Sequence, residues 1–419
     1  MQPAPLYLSK VRWNVPHPVL NDIPGTIAEQ FAALDLDLPP GSRIAIAVGS
    51  RGVANLQTIV REVVRGLQHR RLAPFIVPAM GSHGGATADG QAAVLAAYGI
   101  SESEIGCPIR SSLEVVELDS NGLQNPLFMD RHAYEADGIV VINRIKPHTD
   151  FHGPYESGLI KMLVIGLGKE RQAVEMHRHG VYGLKELIPQ SAKRILSTGK
   201  IKLGVGIVEN AYDETARVEL IPARKIWDRE LELLREAHQN LPRLPVSELD
   251  ILAVDRLGKD ISGTGMDTNV IGRIRIPGQP EPDSPKIKAI WVSQLTPASH
   301  GNATGMGLAD VVTERFREQI DFATTYKNII TSGFLERAKL PIVAATDQAA
   351  FELCHRAIGP IPTAELKMIR IQDTLHTNEF YATRPILNQL QTDSNLELIT
   401  GEIKAFDDRG NLHPWVPLA

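Results

Sequence analysis

The stretch Ile44-Ala45-Ile46-Ala47-Val48-Gly49-Ser50-Arg51-Gly52 decides the fold class. An apolar run this short, ending at glycines, reads as a strand buried on both faces. Just beyond it, over 56–68, Ile59, Val60, Val63, Val64 and Leu67 recur at helical spacing. Strand, turn and helix in that order are the unit of a parallel sheet covered by helices. The order then repeats. Pro74-Phe75-Ile76-Val77-Pro78 runs into Gly81-Ser82-His83-Gly84-Gly85 and a helical pattern over 87–98. Gly138-Ile139-Val140-Val141-Ile142-Asn143 runs into Arg144-Ile145-Lys146-Pro147-His148, and 201–208 supplies a fourth apolar run.

Further along, a charged helix over 227–239 meets Asn240-Leu241-Pro242-Arg243-Leu244-Pro245-Val246, whose two prolines mark a linker. A second alternation follows. It places strands at 250–255, 289–294, 342–345 and 367–371, and helices at 307–319, 322–332 and 348–358. The expectation is two α/β domains with mostly parallel sheets, 1–245 and 246–419, the last residues free to pack back on the first domain. Ligands in such sheets sit beyond the carboxyl ends of strands, and clefts between domains are favoured sites. An active-site cleft between the two domains is therefore expected.

The totals narrow the function. The chain has 419 residues with 44 Lys+Arg against 49 Asp+Glu, a formal charge of −5, which leaves no electrostatic footprint for nucleic acid. No apolar run is long enough to span a bilayer, and the first residues show no secretory h-region. A cytoplasmic protein without membrane or nucleic-acid partners is expected, as a monomer or small homo-oligomer. Cys107 and Cys354 are the only cysteines. A disulfide framework and a metal held by protein thiolates are excluded.

Three turns follow strands with Arg or His at their tips: 49–52, 81–85 and 144–148. The stretch 148–179 holds His148, His152, His177 and His179, a local enrichment that suggests metal or acid–base chemistry. Lys161 sits inside Gly158-Leu159-Ile160-Lys161-Met162-Leu163-Val164-Ile165-Gly166, where an amine loses part of its hydration and gains nucleophilicity. The alternative for such a lysine is a buried stem with its ammonium in water. The second half adds Gly258-Lys259-Asp260-Ile261-Ser262-Gly263, able to hold an anion, and Thr296-Pro297-Ala298-Ser299-His300. Neither Walker nor Gly-x-Gly-x-x-Gly spacing is present.

Taken in order, these segments resemble the lactate racemase superfamily, whose members use a nickel-pincer nucleotide. The resemblance covers most of residues 1–240. Gly81-Ser82-His83 is similar to that family's Gly-Thr-His turn, Arg144-Ile145-Lys146-Pro147-His148 to its Arg-Ile-x-Pro-His segment, and Lys161 with His177, sixteen residues on, to its lysine–histidine pair. The resemblance implies that Lys161 carries the cofactor covalently and that His177 ligates nickel. The cofactor is pyridinium-3-thioamide-5-thiocarboxylic acid mononucleotide with Ni. The resemblance further implies that His83 and His148 are the acid/base pair and that Arg51 and Ser82 contact the cofactor. Arg51, Lys259 and His300 would then hold substrate, and cofactor-synthesis enzymes become partners.

The chain also departs from the family pattern. Val48-Gly49-Ser50-Arg51 keeps only the arginine of Asp-x-Thr-Arg. Gly158-Leu159-Ile160-Lys161 replaces Gly-Gly-Arg-Lys, and the interval from His148 to Lys161 is about three residues longer. These differences imply a divergent branch and a substrate other than lactate, and they keep His152 as a rival to His148.

The expected activity is that of an isomerase inverting C2 of a 2-hydroxy acid. The C2 proton of such an acid is very weakly acidic, so moving it as hydride avoids a carbanion. Two histidines then handle the hydroxyl proton on opposite faces. One alternative is a metal-dependent hydrolase or lyase using the His148–His179 cluster, with Glu156, Glu170 or Glu175 as co-ligands. The other is a non-catalytic binding homologue.

Overall fold

The computed structural model describes residues 5–15, 17–49 and 52–415, except the side chain of Thr331. Both halves are α/β, as the alternation predicts. The chain forms two compact units, His17–Leu241 and a second made of Met1–Pro16 with Pro242–Ala419.

The first strand, β1 (Tyr7–Trp13), lies in the sheet of the C-terminal unit. The boundary of 1–245 is corrected accordingly: the opening residues pack with the C-terminal half, reversing the expected exchange. The reason is pairing. Ser9 to Arg12 register against Ala382 to Glu379, and Val11 to Trp13 against Leu398 to Leu396. Lys10, only 2% exposed, meets Glu379 at 2.9 Å, so a charged residue sits inside a strand without an unpaired charge.

In the unit His17–Leu241, β2 (Arg43–Val48) and β3 (Ala73–Pro78) lead to the hairpin strands β4 (Val115–Leu118) and β5 (Leu127–Asp130). Then come β6 (Gly138–Arg144), β7 (Ile201–Glu209) and β8 (Thr215–Pro222). The main sheet runs β3-β2-β6-β7-β8, parallel except for β8. Alternation on β2 builds two cores. Ile44, Ile46 and Val48 pack with Ile59, Val60, Val63 and Val64 of the helix Leu56–His69. Ala45 and Ala47 face Leu159, Met162, Leu163 and Ile226 on the other side. Small residues on that side let the helices after residue 158 approach closely.

The C-terminal unit continues with β9 (Glu248–Leu257), β10 (Lys286–Leu295), β11 (Val311–Thr313) and β12 (Ile342–Ala344). It ends with β13 (Met368–Ile371), β14 (Glu379–Ala382), β15 (Leu396–Leu398) and β16 (Ile403–Lys404). Its order is β12-β11-β10-β9-β13-β14-β1-β15, with β16 also on β1. The half from β12 to β13 is parallel and the rest antiparallel. The helix expected over 307–319 is not formed as one element. Val311 and Val312 pair with Trp291 and Val292, which splits the span into a 3-10 turn at Met306–Leu308 and a short α-helix at Glu314–Glu318. Burial against a sheet overrides local helical spacing. Among the described residues no helix is long and apolar enough to cross a membrane.

Candidate active site at the carboxyl ends of the parallel strands

The three turns expected to carry chemistry leave β2, β3 and β6, adjacent parallel strands, at the same edge of the sheet. Arg51, with Ser50, lies outside the described residues. At Gly49 a Cβ would stand 2.8 Å from Met162 Cε, so the backbone there runs close over the Met162 side chain. Gly49, at the end of β2, thus lies against the segment holding Lys161.

After β6 the chain closes a loop. Lys146 and Ser157 exchange backbone hydrogen bonds at 2.8 and 3.2 Å, pinning its ends. Inside it, His148 stacks on Phe151 with ring centroids 4.6 Å apart. The His148 amide donates to Glu156 Oε2 at 2.6 Å, and the Asp150 amide donates to His148 Nδ1 at 3.1 Å. The ring is fixed in position and in plane. Its Nε2 lies 2.8 Å from Lys161 Nζ. Two cationic groups cannot share that contact, so the pair holds at most one excess proton between them.

Lys161 ends the short helix Leu159–Lys161, which runs on as a π turn, Met162–Gly166. Its flanks Ile160 and Met162 are buried while Lys161 is half-buried. Glu230, from the helix Ala223–Gln239, accepts from the Ile160 amide at 2.9 Å. A Cβ at Gly158 would lie 2.4 Å from Glu230 Oε1, so only glycine lets the carboxyl reach the helix start. Burial raises the Glu230 carboxyl to about 8, against the hydrogen bonds from Ile160 and Leu159. Asn143 Nδ2 donates to Gly158 O at 2.8 Å and ties this start to the end of β6.

The π turn leads into the helix Lys169–His177. His177 Nδ1 lies 2.6 Å from Ala173 O. An imidazole donating there keeps its lone pair on Nε2, as a metal ligand requires. Burial lowers its pKa, and the Lys161 charge acts in the same direction against the Ala173 hydrogen bond and Asp150. Neutral imidazole, a nearby amine and an Nε2 that no described residue hydrogen-bonds fit the donor set expected for a lysine-tethered, histidine-ligated nickel group.

His83 and Ser82 are exposed in the turn after β3. A Cβ on Gly81 would be 3.0 Å from Ile165 Cγ2 and 3.4 Å from Ala173 Cβ, so this turn rests on the segment between Lys161 and His177. Gln91 Nε2 donates to Gly81 O at 2.9 Å and to His83 O at 3.3 Å. Lys169 Nζ reaches Pro78 O and Gln91 Oε1, and pairs with Asp130 at 3.0 Å in an interior where both side chains are within 1% of full burial.

The four clustered histidines do not form one centre. His179 faces Glu175 and Arg178. His152 lies against Glu156, with Nδ1 3.3 Å from Oε1, and His238 Nε2 is 3.4 Å from the same oxygen. Burial would raise the Glu156 carboxyl, but hydrogen bonds from His152, His238 and the His148 amide outweigh it and hold it at about 2. Sequence reading missed His238, Glu230, Lys169 and Asp130 as site residues. Glu230 carried one signal, since it shares helical spacing with Ile226, Leu233 and Leu234 on a buried stripe.

In the C-terminal unit, Lys259 and His300 follow β9 and β10, which are parallel neighbours. The Lys259 amide donates to Ser299 Oγ at 2.9 Å, so the two turns touch. Lys259 Nζ donates to Gly263 O at 2.5 Å and Asn328 Oδ1 at 3.0 Å. His300 is exposed with φ +47°.

No protein-family model matches the chain, and no curated protein matches it in sequence. Solved structures similar to it include the following two. One is the lactate racemase apoprotein from Thermoanaerobacterium thermosaccharolyticum, at TM-score 0.50 and 11% identity over 88% of this chain and 99% of that one. The other is a structural-genomics target from Thermotoga maritima, at TM-score 0.49 and 14% identity over 84% and 96%. The first establishes a lactate-racemase-like fold.

Proposed function

We propose that the chain is an isomerase of 2-hydroxy acids, a racemase or epimerase of a divergent lactate-racemase-like branch acting on a substrate other than lactate. The observation that carries this reading is the 2.8 Å contact of Lys161 Nζ with His148 Nε2, beside a His177 whose Nε2 is left open. Lys161 would tether the nickel-pincer nucleotide and His177 would ligate its metal; Ser82 and Arg51 are assigned to its binding. Imidazole suits Ni(II), and the softer ligands come with the nucleotide. The bound group would supply a two-electron acceptor for the C2 hydrogen.

The remaining work falls to this chain's residues. A thioamide on Lys161 would carry no charge and would leave His148 Nε2 to a substrate hydroxyl. Taking the hydroxyl proton at Nε2 needs the ring proton on Nδ1, so the Asp150 amide would leave Nδ1 when His148 acts from one face; His83 would act from the other. Arg51, Lys259 and His300 are assigned to the substrate carboxylate, for which an arginine fork is well shaped. The reading places the protein in the cytoplasm with the cofactor-synthesis enzymes as partners.

The test is intact mass and nickel content of protein co-produced with those enzymes, followed by a panel of chiral 2-hydroxy acids scored for exchange and inversion at C2. An adduct on Lys161, nickel and inversion of a panel member are expected. Protein without adduct and nickel sinks the reading.

A further inference from the structure

We propose a second cation site, formed by His152, Glu156 and His238, that takes a zinc-like divalent ion and fastens the loop carrying His148 to the helix Ala223–Gln239. It is separate from Lys161 and His177 and does not rest on the proposed isomerase activity.

The ligand types fit. Two imidazoles and a carboxylate form a zinc set with one position left to water. Their spacing fits as well. Donor atoms about 2.1 Å from a tetrahedral ion stand about 3.4 Å apart. His152 Nδ1 and His238 Nε2 stand 3.3 and 3.4 Å from Glu156 Oε1, and one donor atom from each of the three residues lies within 4.8 Å of the others. Among the described residues this is the one His/Cys/Asp/Glu group with such spacing.

The supporting contacts divide the work between the two carboxylate oxygens. Oε1 faces both imidazoles, His152 Nδ1 standing also 3.4 Å from Oε2, and accepts from the Gly153 amide at 3.2 Å. Oε2 is held by the His148 amide at 2.6 Å. The Glu156 side chain is 1% exposed, whereas His152 and His238 are 37% and 41% exposed. The anchor is therefore buried and hydrogen-bonded, while the imidazoles reach solvent, from which an ion enters. Metal ligands are ordinarily oriented by such outer hydrogen bonds. An ion on Oε1 leaves the Oε2 contact intact. It adds a cross-link from the helix through Glu156 to the backbone of His148, in a loop already fastened by the Lys146–Ser157 pair and by the Tyr155 hydroxyl, which donates to Trp227 O of the same helix at 3.0 Å.

The experiment uses full-length chain stripped with chelator and titrated with zinc chloride against a chromophoric competitor. The expected result is one zinc per chain with a Kd below about 1 µM, and a rise in the unfolding temperature on loading. His238→Gln and His152→Gln should each weaken binding at least about tenfold. Both side chains are partly solvent-exposed, and circular dichroism of each stripped variant checks that it folds. His177→Ala should bind zinc as the unaltered chain does, which separates this site from the Lys161 region. Binding no tighter than about 100 µM, or tight binding that survives His238→Gln but not His177→Ala, overturns the proposal.

Discussion

Lys161 Nζ and His148 Nε2 approach to 2.8 Å, although they come from different elements thirteen positions apart in the chain. Each is held from behind, the lysine's helix by Glu230 and the imidazole by Phe151 and the Asp150 amide. Replacing His148 with Asn keeps a polar side chain but removes an acid/base. In cofactor-loaded protein, turnover should fall by about 10²–10⁴-fold, while intact mass still shows the adduct on Lys161. Full activity in a fully loaded His148→Asn chain would remove His148 from the mechanism and return His152 to consideration.

Lys169 and Asp130 form a buried pair that also steadies the turn bearing His83. Lys169→Met would leave the Asp130 carboxylate in the interior with no counter-charge, a loss of about 3–5 kcal/mol. It would also remove a donor to Gln91, whose amide holds the Gly81 and His83 carbonyls. Urea unfolding should therefore show Lys169→Met well below the unaltered chain. The double change Lys169→Met with Asp130→Asn should recover part of the deficit, because no uncompensated charge remains. Equal losses in the single and double variants would show that the ion pair is not the source.

These contacts explain what was legible in the sequence. The runs 44–48, 74–78, 138–143 and 201–208 are apolar but for Asn143 and Lys202 because parallel strands are buried on both faces, and each became a strand. β1 was hidden because Lys10 and Arg12 interrupt its apolar pattern, and their partners Glu379 and Glu397 are distant in the chain. His83, His148, Lys161 and His177 stood out because ordered spacing is a local property. Glu230, His238 and Asp130 did not, because each acts on a segment supplied by another part of the chain.

Glu230 gives the fold a pH dependence of known sign. An ordinary carboxyl titrates near 4.5, and burial raises this one to about 8. A raised folded-state pKa means the native chain holds the proton more tightly than the unfolded chain. The stability it contributes is complete below about 4.5 and is lost as pH climbs toward 8. Glu230→Gln cannot ionise. Relative to that variant, the unaltered chain should lose up to about 1.4 kcal/mol per pH unit across the window. Urea midpoints at pH 5, 7 and 9 measure the difference, and parallel trends for the two chains would refute the assignment.

The two units differ in how much of themselves their sequence segments contain. His17–Leu241 is continuous, and its sheet and both cores draw only on its own residues. Pro242–Ala419 lacks β1, which lies between β14 and β15 and contributes Val11 and Trp13 to the core. Without β1, β14 keeps a bare edge and Glu379 loses both Lys10 and Arg12. An unpaired edge strand favours aggregation. A fragment spanning 17–241 should unfold cooperatively on its own, whereas 242–419 should aggregate or show no cooperative transition. Attaching residues 1–16 to the end of 242–419 through a flexible linker should restore that transition. Calorimetry of the three chains decides it, and a cooperative transition in the unaided 242–419 fragment would show β1 to be dispensable.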